Sequence, residues 1–107
     1  MSDGADDDDF LRELRAEYLA DSAGHLAALR ADITELRNGT PGAAVTLRGR
    51  LHQLAGSGGS YGFPAISTIA REAEQWLLGA PPPGAIVSRM EEAVARLEAE
   101  FGKAEKQ

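Results

Sequence analysis

His52 stands in the run RLHQLAGSGGSYGF, residues 50–63. Free imidazole has a pKa of about 6.5, so at neutral pH the ring is mostly the neutral nucleophile. Three chemistries are open to it. Acid–base catalysis wants a pocket around the ring, and the residues beside His52 offer a smooth helix face. A metal site needs at least three ligands. The chain has no cysteine and only one other histidine, His25, which belongs to an earlier helical segment; no Glu-x-x-His pair occurs. The remaining role is covalent carriage, in which a ring nitrogen accepts a group from one protein and passes it to another.

The glycines around His52 point the same way. Gly56, Gly58, Gly59 and Gly62 precede Phe63, and Gly49 comes just before the run. Each glycine inside a helix costs about 1 kcal/mol against alanine. On a helix that advances about 100° per residue, Val45, Arg48, Gly49, Ala55, Gly56 and Gly59 fall within about 60° of His52. Leu47, Leu51, Leu54, Gly58 and Tyr61 fall on the far side. The far set is a core seam, where Gly58 lets a second helix approach closely. The near set carries one arginine and otherwise mostly small residues, so a partner's backbone can reach the imidazole. GSGGSYG is not a phosphate-cradling loop, because the Gly-Lys-Ser/Thr ending and a preceding strand are both missing.

Four helical segments must position these residues. The first runs from about Asp9 to Arg37, with the stripe Leu11, Leu14, Tyr18, Leu26, Leu29, Ile33 and Leu36, and Ser22 in its gap. Asn38–Gly39 ends it, since both residues tolerate a left-handed cap. Thr40 then reads as an N-cap and Pro41 as the first residue of a second helix reaching about Ser60. Gly62 caps that helix and Pro64 opens a third, with Ile66, Ile69, Ala73 and Trp76 or Leu77 on its inner face. Gly79 ends the third, APPPG is a stiff connector, and a fourth runs from about Gly84 to Lys103 on Ile86, Met90, Val94, Leu97 and Phe101. Strand alternation and internal repeats are absent. The expected fold is all-α, an antiparallel up-down-up-down four-helix bundle with the first helix overhanging. His25 and Trp76 read as packing residues.

The 107 residues fit one domain, and 43% hydrophobic with 26% charged residues is an ordinary globular composition. Net charge is −6, from 17 acids and 11 bases. Asp3, Asp6, Asp7, Asp8 and Asp9 crowd the start, so residues 1–8 are expected to be a disordered acidic tail and 9–107 the bundle. An acidic chain with no basic stripe argues against nucleic acid. No apolar run reaches the roughly 20 residues of a membrane span. The acidic start lacks the apolar segment of a secretory signal, so a cytoplasmic address is expected. Nothing calls for an obligate dimer, so a monomer is expected, and the wealth of alanine, arginine and glycine points to a GC-rich bacterial source.

LHQLAGSGGSYGF resembles the phosphorylation motif of histidine-containing phosphotransfer (HPt) domains. It is similar also to the phosphorylatable N-terminal domain of chemotaxis histidine kinases. The pattern is His, any residue, an aliphatic, Lys, Gly and a small residue, then further small residues before a Gly and an apolar residue. Here it reads His52, Gln53, Leu54, Ala55, Gly56, Ser57, then Gly62 and Phe63, without a gap. The resemblance covers the second and third helices; the outer two agree in pattern only.

The resemblance implies a phosphorelay intermediate on a four-helix bundle. His52 would take a phosphoryl group on Nε2 from an aspartyl phosphate or a sensor histidine kinase and exchange it with a receiver-domain aspartate. It implies response-regulator receivers as partners, with Mg²⁺ on the receiver and no cofactor of the chain's own. Glu74 matches a family position whose carboxylate binds the inward ring nitrogen and orients the acceptor. Gly49, Gln53, Ala55, Gly56 and Gly59 form the expected docking floor. At Ala55 the family usually has a lysine that neutralises the phosphate. Arg48, one turn before His52, and Arg71, on the third helix beside Glu74, are the candidates to replace it. No ATP site is visible, so the chain is expected to be a carrier, not an enzyme that phosphorylates itself. Two other readings stay open: a substrate domain excised from a larger chemotaxis-type kinase, and a non-catalytic adaptor, which Ala55 favours.

Overall fold

The computed structural model describes residues 3–106, with side chains from Asp8 onward. Among these residues all regular structure is helical: α1 (Asp3–Ala20), α2 (Ser22–Arg37), α3 (Ala43–Ser60), α4 (Pro64–Leu78) and α5 (Pro83–Glu105). The first expected helix is therefore two segments that meet at Asp21. The hydrogen-bond ladder crosses the junction, since Asp21 N donates to Glu17 O and His25 N donates to Asp21 O. The backbone is helical from Asp3, well before Asp9, so the acidic stretch expected as a tail over residues 1–8 carries helix from Asp3 on. Met1 and Ser2 lie outside the described residues. Laid end to end at 1.5 Å per residue, α1 and α2 run about 50 Å, and the molecule measures 58 × 22 × 20 Å.

α2 to α5 close into a ring of antiparallel neighbours. Arg30 pairs with Glu98 and Arg37 with Glu91 across α2–α5. Arg50 meets Asp32 at 2.6 Å across α2–α3. Ser67 bonds Ala55, and Glu74 bonds His52, across α3–α4. Arg96 faces Glu72, and Arg89 lies over the Trp76 ring, across α4–α5. Where two such pairs join the same helices, residue numbers rise on one helix as they fall on its neighbour. The inner stripes meet as the sequence predicts, with Leu29, Leu47, Leu51, Ile66, Met90, Leu97 and Phe101 almost fully buried. Tyr18 seals the α1 end. Its ring stacks on Tyr61 and Phe63, and its hydroxyl meets Ser57 Oγ at 2.8 Å.

Helix ends follow local chemistry. Gly62 is left-handed (φ +85°), with Phe63 N donating to Gly58 O and Gly62 N to Gly59 O, the paired bonds of a Schellman cap. Gly39 (φ +72°) ends α2 in the same way, while Asn38 stays right-handed. Thr40 does not cap α3. Its hydroxyl donates to Glu35 Oε2 instead, and α3 begins later, at Ala43. Pro64 and Pro83 open α4 and α5, where a missing N–H costs nothing.

Candidate functional site

α3 and α4 approach more closely than their side chains alone would allow. A Cβ on Gly58 would lie 3.1 Å from Ser67 N and from Ile66 Cγ2. That contact sets the height of α4 against α3, and it places Glu74 opposite His52. His52 Nδ1 and Glu74 Oε2 are 2.8 Å apart. The histidine side chain is 75% exposed, whereas that of the glutamate is 13% exposed. An ionised carboxylate only accepts hydrogen bonds, so the proton of this contact sits on Nδ1. Nε2 then carries a free lone pair on a ring that is mostly exposed.

Around this pair lies a shallow open depression lined by His52, Ala55, Gly56, Arg71, Glu74 and Gln75. Arg71 reaches it from α4, one turn from the buried Ser67, whose Oγ its guanidinium meets at 3.3 Å. Ser67 Oγ in turn donates to Ala55 O at 2.7 Å. A Cβ at Gly56 or Gly49 would meet nothing within 4 Å, so both leave the exposed flank of His52 bare. Gly59 sits lower, and its Cβ would rest against Ser67 Oγ at 3.4 Å.

The structure thus gathers His52, Glu74, Arg71, Ala55 and Gly56 at one place and leaves other expected residues outside it. Arg48 does not line the depression. Gln53 turns toward α2, where it lines a separate groove with His25, Arg50 and Ser57. Ala55 lines the depression yet is 4% exposed, so as a docking residue it offers a partner almost no surface. A helical wheel puts it on the histidine face, but α4 leans over that flank. Sequence reasoning passed over Gln75 and Ser67. Gln75 directly follows Glu74, and Ser67, a hydroxyl on an otherwise apolar inner face between Ile66 and Ile69, was the visible signal.

His25 is half-buried against Tyr18, with ring centroids 5.6 Å apart, in the packing role expected of it. Trp76 is partly buried against the core. Among the described residues no three His, Cys, Asp or Glu side chains gather as a metal site, and no helix is long and apolar enough to cross a membrane.

A family model described as Hpt domain matches residues 13–100. No curated protein and no solved structure matches the chain.

Proposed function

The chain belongs to the Hpt domain family, and from that premise we propose that His52 is its phosphoacceptor. Domains of this family are phosphocarriers in phosphorelays, where they meet receiver domains and kinases, so histidine phosphotransfer is the class of function. One observation carries the assignment to His52. An exposed ring is held through its inner nitrogen by a largely buried carboxylate at 2.8 Å. That leaves its other nitrogen free to react with a partner, which supports the reading.

In this reading Nε2 attacks the phosphorus of an aspartyl phosphate on a receiver. The N–P bond forms as the P–O bond to the aspartate breaks, and the aspartyl carboxylate leaves with the electron pair. Nδ1 keeps its proton, so the ring becomes cationic, and the Glu74 carboxylate facing that proton stabilises the charge. Return to a receiver aspartate is the reverse step. Arg71 is the cation for the phosphoryl oxygens, because it lines the depression and Arg48 does not. The Mg²⁺ of the reaction belongs to the receiver. Gly49 and Gly56 admit the receiver's loops, and Gln53 contributes from the α2 side.

The test is phosphoryl transfer from a panel of phosphorylated receivers and sensor kinases to the parent chain and to His52→Gln. An acid-labile, base-stable label on the parent that is missing from the variant supports the reading. Tight receiver binding without a label from any donor would identify a non-catalytic adaptor.

A further inference from the structure

Arg71 is a long, exposed side chain with many rotamers. A charge that must meet a phosphoryl group in one place is more effective when it is already held there. Among the described residues, its guanidinium makes one hydrogen bond, to Ser67 Oγ at 3.3 Å. Ser67 is 5% exposed and lies one helical turn before Arg71 on α4. Its hydroxyl proton is committed to Ala55 O at 2.7 Å, so an oxygen lone pair is what remains for the arginine. The hydroxyl is fixed from the other helix, and its direction is set.

Packing does not require that hydroxyl. α4 presents Ile66, Ile69, Ala70 and Ala73 to the core, and Ser67 sits among them as a buried polar side chain. The close approach of the helices rests on Gly58 against the Ser67 backbone nitrogen, which alanine at 67 would leave in place. A buried hydroxyl carries a desolvation cost that bonding has to offset. Its yield here is an anchor for a cation three residues before the carboxylate that holds His52.

We propose that Ser67 is a positioning residue that holds the Arg71 guanidinium over the depression beside His52, and that this relay from α3 through α4 replaces the positive charge missing at Ala55. The inference rests on His52 being the phosphoacceptor. Position 55 is covered by α4 and its carbonyl accepts the Ser67 hydroxyl, so the α3 site that lacks the cation supports the α4 residue that aims one.

The experiment uses phosphoramidate as a small donor, so that no receiver is needed. Its P–N bond breaks, ammonia leaves, and the phosphoryl group bonds to Nε2; ³¹P NMR reads the rate and pH 8 keeps the product. Four chains are compared: the parent, Ser67→Ala, Arg71→Ala and the double variant, with thermal unfolding of each to show that it is folded. Ser67→Ala is expected to slow labelling about three- to tenfold, the size of one hydrogen bond's contribution. In the Arg71→Ala background the same change is expected to have no effect. Equal slowing by Ser67→Ala in both backgrounds, or no slowing in either, would overturn the positioning role while the His52 assignment stands. No phosphohistidine on the folded parent, from phosphoramidate or from any phosphorylated receiver, would overturn the assignment and the inference with it.

Discussion

The α3–α4 and α2–α5 contacts are built from different materials. Across α3–α4 the helices touch through Gly58, a buried hydroxyl bonds a main-chain carbonyl, and a largely buried carboxylate holds a ring. Across α2–α5 the ion pairs are Arg30–Glu98 and Arg37–Glu91, all of whose side chains are more than half exposed, and one further bond, from the buried Ser22 hydroxyl to Glu105 Oε1 at 2.9 Å, closes the end beside α1. Exposed ion pairs contribute little, because water screens them and long side chains must be ordered to form them. Both contacts have apolar seams, yet α3–α4 gathers its hydrogen bonds around one exposed ring, whereas the buried bond of α2–α5 lies at its far end and its ion pairs are exposed. The difference follows from what each carries. Two halves of the proposed site, His52 and Glu74, come from different helices, and their separation is only as constant as the contact between those helices.

This contrast can be broken by experiment. The largest effect is expected at the proposed acceptor: His52→Gln abolishes the acid-labile label, while Arg37→Ala on the opposite contact leaves it in place. Autoradiography of both chains after one donor incubation decides this. Next is Glu74→Gln, which keeps the shape and removes the charge. A hydrogen bond to a charged group contributes about 1.5–3 kcal/mol, so the transfer rate should fall about tenfold or more with thermal stability nearly unchanged. Equal rates in stopped-flow would remove Glu74 from the site. Gly58→Val tests the close approach directly. Its Cβ must displace backbone at Ser67, and overpacking of this kind costs about 1–3 kcal/mol. The urea midpoint should drop and transfer should slow together, whereas a midpoint at the parent's value would mean that the helices can separate freely.

Smaller effects are expected on the other side. Arg30→Ala with Arg37→Ala should lower stability by less than about 1 kcal/mol per pair, and half-molar salt should reduce the difference. A loss as large as that of Gly58→Val would erase the contrast. The smallest concerns Tyr18 at the α1 junction. Burial pushes its phenol above the usual value of 10.0, the neighbouring Tyr61 adds to the rise, and the Ser57 hydrogen bond opposes it. The unfolded chain then loses this proton at lower pH than the folded one, so the stabilisation is complete below pH 10 and is lost as pH rises through the folded value. Tyr18→Phe should flatten the decline in urea midpoint above pH 10 relative to the parent. Parallel curves would show that Tyr18 does not contribute to it.

Much of this was legible in one dimension. The leucines at 47, 51 and 54 recur at helical spacing, so the core side of α3, and with it the outward side that bears His52, can be read directly. Gly39 and Gly62 are left-handed because glycine adopts that backbone without a Cβ penalty. Other positions were misleading for physical reasons. Thr40 looks like an N-cap, but Glu35 one turn back offers its hydroxyl a carboxylate. At the end of α4 the left-handed residue is Ala80 (φ +52°), while Gly79 stays right-handed. The division at Asp21 leaves the apolar stripe unbroken, so periodicity passes through it.

Composition and periodicity, by themselves, determined an all-helical chain, its core stripes and a histidine standing among small residues. Those are properties of a residue and its near neighbours along the chain. Tertiary structure alone decided which flank of α3 is covered. It turned Gln53 toward α2, closed α4 over Ala55, left Arg48 outside the depression and brought Arg71 and Glu74 beside His52, with Ser67 bonded to Arg71. A helical wheel gives each side chain an angle, but the neighbour that meets that angle is set by how two helices pack, and here Gly58 sets it.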